Sequence, residues 1–529
     1  MKAKPFKSVI KFSIIFVLIL LFDGCYPPNG QSKNAMYELD DIEVYEVTTD
    51  EVTIIEHNTE EYDRIYENTY RDVRQNPLST FSIDVDNASY SNVRRFLSNN
   101  QLPPKDAVRI EEMINYFNYD YPQPNDKHPF SFSNEVADCP WNIEHKLVHI
   151  GIQGKSLDYK DIKPSNFVFL IDASGSMSSN NKLPLLKKAL KLLLNELNES
   201  DKVAIVAYAG SAGLVLPSTK ASQKETIIEA LDRINSGGST AGGEGIQLAY
   251  KIAKENLITN GNNRVILATD GDFNVGVSSS SEMVRLIEEK RKEDIYLTIC
   301  GFGMGNYKDG RMEQISNAGN GNYFYIDNIK EAKKVFSTDM RANMFTIAKD
   351  VKIQIEFNPS QVKAYRLIGY ENRVMKNEDF NNDKKDAGEL GAGHTVTALY
   401  EVVPFNSKYQ AKQHDALKYQ KTETTVASNN NEMLTIKFRY KKPKDNKSIL
   451  ITKTIEDKSL ELEKASNNFK FSSAVAGFGL LLRDSKYKGD ITYTMAKELA
   501  LNAKGNDVNG YRQELISLIE TAALLTEKL

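Results

Sequence analysis

Cysteine is scarce, with three in 529 residues, so the chain is not a disulfide scaffold. An excess of positive charge is also missing. Lys and Arg total 67 against 71 Asp and Glu, a net charge of −4. No basic stripe marks a nucleic-acid surface, which excludes nucleic acid as the expected partner. Beyond the first two dozen residues no apolar run is long enough to cross a bilayer. A single tryptophan and a charged fraction of 26% are ordinary for soluble domains. The length is too great for one hydrophobic core and predicts two to four domains.

The N-terminus reads as an export signal. Lys2, Lys4, Lys7 and Lys11 precede an apolar run, Phe12 to Phe22, broken only by Ser13. That is short for a span and suits a secretory signal peptide over residues 1–24. Phe22-Asp-Gly-Cys25 resembles a bacterial lipobox, although Phe22 and Asp23 stand where the usual box has Leu and a small residue. The resemblance implies lipidation of Cys25 and an exported protein anchored to a bacterial membrane, at the outer membrane or cell surface. Residues 25–75 are acidic and read as a tether. Cys300 lies in an apolar run, Ile295 to Gly301, and reads as a small buried hydrophobe. Its pairing with Cys139 stays open.

Chemistry concentrates in three short segments. Phe167 to Ile171 is an apolar run that predicts a fully buried strand ending on Asp172. Ser174 and Ser176 follow around Gly175, which places a carboxylate and two hydroxyls on one tight loop. Gly237-Gly-Ser-Thr240 offers a further hydroxyl on a glycine-rich loop, and Val265 to Thr269 is a second apolar strand ending on Asp270. Ligands of open α/β sheets bind at the carboxyl ends of strands. Oxygen donors without His or Cys suit a hard cation, Mg²⁺ before Zn²⁺.

Residues 164–341 alternate strand and helix. The predicted strands are Phe167–Ile171, Val203–Tyr208, Val265–Thr269, Ile295–Gly301 and Tyr323–Ile326. Intervening helices require crossovers and predict a doubly wound, mainly parallel α/β sheet. Residues 76–163 read as an N-terminal α+β segment. In it, His145 and His149 fall on an alternating strand and are expected to be exposed imidazoles, and Asp84 and Asp86 to be a solvated strand end. Residues 342–460 alternate strictly in places, as in Val351 to Phe357, and predict a β-sandwich-like domain. Residues 461–529 predict a helical C-terminal cap. Strands on both sides of the α/β domain suggest that it is inserted into a β domain whose halves flank it.

The order Asp172-x-Ser174-x-Ser176, Thr240, Asp270 on alternating strands and helices resembles the metal-ion-dependent adhesion site of von Willebrand factor type A domains. Longer runs extend the resemblance to bacterial type A lipoproteins that carry an N-terminal von Willebrand-associated segment and a C-terminal domain of undefined role. These runs include Ser79–Tyr90, Pro140-Trp-Asn142, Val206–Gly210, Arg264–Gly276 and Ile368–Arg373. The resemblance implies that Ser174 and Ser176 bind the metal directly. It implies that Thr240 binds directly when ligand is present. Asp172 and Asp270 would act largely through coordinated water, or directly in the unliganded form. The implied ion is Mg²⁺, with Mn²⁺ or Ca²⁺ as alternatives.

Neutral hydroxyls leave such an ion most of its charge and one position for an outside carboxylate. The expected function is metal-dependent binding of a protein or glycan ligand that presents a carboxylate, in adhesion or envelope assembly. Catalysis is not expected. No Gly-x-Ser-x-Gly elbow occurs, and with no histidine in the three loops a nucleophilic serine would lack its usual base. Gly154-Lys-Ser156 resembles the end of a phosphate loop, but His149 stands where that loop has glycine. Gly301-Phe-Gly-Met-Gly305 is expected to be a close-packing turn. The alternative function is a regulatory or scaffolding partner of an AAA-type ATPase. A metal-dependent hydrolase ranks third.

Overall fold

The computed structural model describes residues 60–158, 162–238, 242–271, 280–305, 307–409, 430–458 and 460–527. The signal peptide, Cys25 and the tether before residue 60 lie outside the described residues.

The chain enters through β1 (Arg71–Asp72), β2 (Leu78–Ser82), β3 (Phe130–Cys139) and β4 (Asn142–Gly154). The α/β domain follows with β5 (Ser165–Asp172), β6 (Lys202–Tyr208), β7 (Ala212–Lys220), β8 (Asn262–Thr269), β9 (Ile295–Phe302) and β10 (Tyr323–Ile326). The remaining strands are β11 (Thr346–Phe357), β12 (Val362–Ile368), β13 (Gly388–Gly391), β14 (Thr395–Pro404), β15 (Glu432–Lys441) and β16 (Ile449–Glu456).

The α/β sheet has the order β10-β9-β8-β5-β6-β7. Every pair is parallel except β6 with β7. Phe167 to Ile171 is apolar on both faces because β5 is central and helices cover both sides. One covering helix, Leu183–Glu196, buries Leu186, Ala189, Leu190, Leu193 and Leu194 against that sheet. Their spacing is the apolar stripe of an amphipathic helix, and Pro184 sits in its first turn, where no donor is lost. Each such leucine contributes about 1.5–3 kcal/mol by leaving water. The chain order reverses at β5, with β6 on one side and β8 on the other. Open α/β sheets bind ligands at such a switch point, outside the carboxyl ends of the strands.

The β domain is built from both flanks of the α/β domain. One sheet has the order β1-β12-β14-β4-β3, the other β13-β11-β15-β16, with β2 paired to β11. The two sheets share one apolar core that includes Phe81, Ile150, Ile355, Tyr400 and Phe438. The C-terminal helices Asn467–Leu482, Tyr493–Asn502 and Tyr511–Thr526 join a separate core with Trp141 and the helix Ile110–Asn115. Cys139 and Cys300 are both buried free thiols. Gly301 packs against the Tyr307 ring, which is the close-packing role expected of that turn.

Two sequence expectations are corrected. His145 and His149 are 4% and 2% exposed, not solvated imidazoles. Strand β4 lies inside its sheet, between β14 and β3, and both faces are covered. His145 Nδ1 is 2.7 Å from Glu401 Oε1, and His149 Nε2 is 2.9 Å from the Tyr121 hydroxyl. Burial pushes His149 down to about 4, so it is neutral at physiological pH. Asp84 and Asp86 are likewise buried, not a solvated strand end. Arg373 donates to both, Nε to Asp84 Oδ2 at 2.9 Å and an Nη to Asp86 Oδ2 at 3.2 Å.

Buried arginines join the α/β domain to its flanks. Arg94, on the helix Ala88–Ser98, binds Asp327, Glu331 and Glu514. Arg109 binds Glu112 and Asp309. Removing one partner of a buried pair strands the other charge. Arg109→Met is therefore expected to cost about 3–5 kcal/mol in urea unfolding.

The Arg373 cluster generates a pH dependence. Burial, then repulsion from Asp84, raises the Asp86 carboxyl to about 8, with Arg373 offsetting only part of that rise. A raised carboxyl binds its proton more tightly in the folded chain. Its stabilisation is complete below the unfolded value near 4 and is lost as pH rises through the folded one. The thermal midpoint should lose this contribution between about pH 4 and about pH 8, and Asp86→Asn should flatten that slope. A wild-type midpoint that rises over this window would contradict the assignment.

Candidate metal centre

The first loop grows directly from β5. Ala173 N donates to Tyr208 O at 2.8 Å, which carries the pairing with β6 one residue past the strand. The chain then turns through a short 3₁₀ segment, Gly175–Ser178. Backbone hydrogen bonds hold the described part of the second loop, Gly237 and Gly238, against the first. Gly237 N donates to Ala173 O at 2.8 Å, and Gly175 N donates to Gly238 O at 3.1 Å. The third begins where β8 ends, at Thr269, so that Asp270 stands beside the end of β5.

Asp172 and Asp270 are both 0% exposed and Ser174 is 2% exposed, whereas Ser176 faces solvent. Asp172 Oδ1 accepts from Ser174 N at 2.9 Å. Its Oδ2 accepts from the Tyr208 hydroxyl and from Thr269 Oγ1, each at 3.2 Å. Burial raises the Asp172 carboxyl, hydrogen bonds from Ser174 pull it back, and the negative charge of Asp270 adds to the rise. Two carboxylates thus repel each other in a dry site, which is a field that attracts a cation. Ser174 Oγ and Ser176 Oγ are 3.0 Å apart. Adjacent oxygens around an octahedral Mg²⁺ stand roughly 2.9 Å apart, given metal–oxygen bonds of about 2.0–2.1 Å. The hydroxyl spacing and the oxygen-only donor set both fit a hard divalent ion.

The structure brings Asp172, Ser174, Ser176 and Asp270 together at one strand-end crevice. Thr240 and Cys25 lie outside the described residues. Sequence reasoning missed three neighbours. Tyr208 ends β6 and Thr269 ends β8; both reach Asp172, and only their positions at strand ends signalled it. The third is Lys182, whose Nζ is 2.9 Å from Asp270 Oδ2. Elsewhere, Asp84, Asp86 and Glu313 bring carboxylate oxygens within 4.8 Å of one another. Arg373 contacts all three, so this group already holds a guanidinium cation of its own.

Comparison with known proteins identifies the family. Residues 166–338 match the profile of the von Willebrand factor type A domain. Residues 56–149 match one described as von Willebrand factor, and residues 342–525 match one described as "Uncharacterized protein YfbK, C-terminal". YfbK of Escherichia coli (strain K12) is 42% identical over 478 residues, covering 89% of this chain and 82% of that protein. The magnesium-chelatase 67 kDa subunit of Chlorobaculum tepidum is 25% identical over 193 residues, 32% of this chain and 30% of the subunit. Among solved structures, a von Willebrand factor type A protein from Catenulispora acidiphila aligns with a TM-score of 0.41 at 15% identity. It covers 75% of this chain and 92% of its own. The chain belongs to the YfbK family of von Willebrand factor type A domain proteins.

Proposed function

We propose that the protein binds a partner through a divalent ion held at the carboxyl ends of β5 and β8, on the outer side of a bacterial membrane to which Cys25 anchors it. The observation that carries this reading is the Ser174–Ser176 hydroxyl pair, 3.0 Å apart, in front of two buried carboxylates. Ser174 and Ser176 would be direct ligands, joined by Thr240 when a partner is engaged. Asp172 and Asp270 would hold coordinated water and orient the hydroxyls. Mg²⁺ is the first choice of ion, with Mn²⁺ or Ca²⁺ as substitutes. When bound, it supplies a concentrated positive charge with one position for an outside carboxylate.

The chain's own residues do the rest. Asp172, fixed by three donors, cannot swing to neutralise the ion completely. The hydroxyls carry no charge, so attraction for an incoming Asp, Glu or acidic sugar is preserved in a partly dry crevice. This is binding chemistry rather than catalysis. A histidine base is absent from the three loops, so Ser174 is not poised as a nucleophile. Adhesion and envelope assembly both use such a contact.

A second reading is a regulatory or scaffolding role beside an AAA-type ATPase. Its support is the likeness of a third of this chain to a magnesium-chelatase subunit. The export signal weighs against it, since an ATPase in the cytosol would need a membrane protein to intervene.

With Mg²⁺ at a hundredfold its dissociation constant, the wild-type chain should gain about 2.7 kcal/mol of stability. Ser174→Ala and Ser176→Ala should each abolish the corresponding rise in thermal midpoint while leaving the metal-free midpoint nearly unchanged. Capture of an envelope partner should vanish with EDTA and return with Mg²⁺. A partner retained in EDTA, or released by nucleotide instead, would overturn the adhesion reading.

A further inference from the structure

Lys182 lies at the start of the helix Leu183–Glu196, ten residues past Asp172. Its side chain is 10% exposed and its ammonium sits 2.9 Å from Asp270 Oδ2, itself fully buried. The aliphatic stem runs across Gly303, in the turn after β9. A Cβ at Gly303 would press on three carbons of that stem, and Gly303 holds φ at +81°, the left-handed region that favours glycine. Three separate elements are thus shaped around one lysine: the helix start, the end of β8 and the turn after β9. Burying an ammonium costs several kcal/mol unless a carboxylate compensates it. Here the compensating carboxylate is one of the two behind the candidate metal centre.

The charge count follows. Among the described residues of the site, Asp172 and Asp270 carry two negative charges and Lys182 carries one positive charge. A divalent ion added to that set leaves one net positive charge, the value that a single incoming carboxylate neutralises. Without Lys182 the two acids alone would balance the ion, and the crevice would offer an anion little attraction.

We propose that Lys182 is a fixed counter-cation that sets this balance: it weakens retention of the divalent ion and strengthens capture of a monoanionic partner. The proposal rests on the metal-dependent reading above and adds a residue that sets its specificity.

The test is calorimetric titration of the full chain with Mn²⁺, comparing wild type with Lys182→Met and Lys182→Arg. Methionine preserves the stem over Gly303 and removes the charge; arginine retains the charge. The Met variant is expected to bind Mn²⁺ roughly ten- to hundredfold more tightly, from the loss of one nearby unit charge. The Arg variant should stay close to wild type. With Mn²⁺ saturating, acetate should bind the Met variant more weakly than wild type. Lys182→Gln serves in its place if the Met variant does not fold. Equal Mn²⁺ affinities in wild type and the uncharged variant overturn this inference and leave the metal reading standing. Mn²⁺ uptake by none of the chains overturns the metal reading, and this inference with it.

Discussion

Two carboxylates buried side by side at neighbouring strand ends are the constraint around which this molecule is arranged. Asp172 and Asp270 are both closed off from solvent, and burial together with the charge of Asp270 raises the cost of ionising Asp172. Such a pair persists only where donors and cations compensate it. The parallel register of β5 with β8 sets the two acids together, and β6 brings Tyr208 alongside. The serine loop adds a backbone donor, and Lys182 adds a charge. The hydroxyls of Ser174 and Ser176 then stand in front of a negative field that they do not themselves neutralise.

The surrounding domains are tied closely to this crevice. The β domain takes strands from before and after the α/β domain, so both ends of the α/β domain are anchored in one apolar core. Arg94 and Arg109 hold the seam with buried ion pairs. A contiguous set of contacts also leads from the N-terminal stretch to the crevice. Glu60 accepts from Arg95 and from Gly305 N, and Glu61 N donates to Tyr307 O at 3.0 Å. The Tyr307 backbone in turn lies where a Cβ on Gly271, the residue after Asp270, would come within 2.9 Å. The stretch at Glu60 and Glu61 is therefore packed close to the loop beside the candidate metal centre.

Much of this was legible in the sequence, because its signals are local. The five parallel strands announce themselves as apolar runs, and the site acids and serines sit where those runs end. What escaped was non-local. Strand β7 is an edge strand that carries Pro217 and several polar residues, which blurs its pattern. The alternation around His145 and His149 identifies a strand, but cannot tell that both of its faces are covered once β14 and β3 flank it. Asp84 meets Arg373 across 289 residues of sequence, and Lys182 meets Asp270 across 88. Charge partners at such separations follow from the fold and not from spacing.

The most direct test of the account is the anomalous scattering of crystals of the full chain soaked in Mn²⁺. The account predicts one strong peak within bonding distance of Ser174 Oγ and Ser176 Oγ, backed by Asp172 and Asp270, with a water or a neighbouring carboxylate at the outward position. Crystals with those loops ordered and no peak there, or a peak only beside Asp84, Asp86 and Glu313, would contradict it.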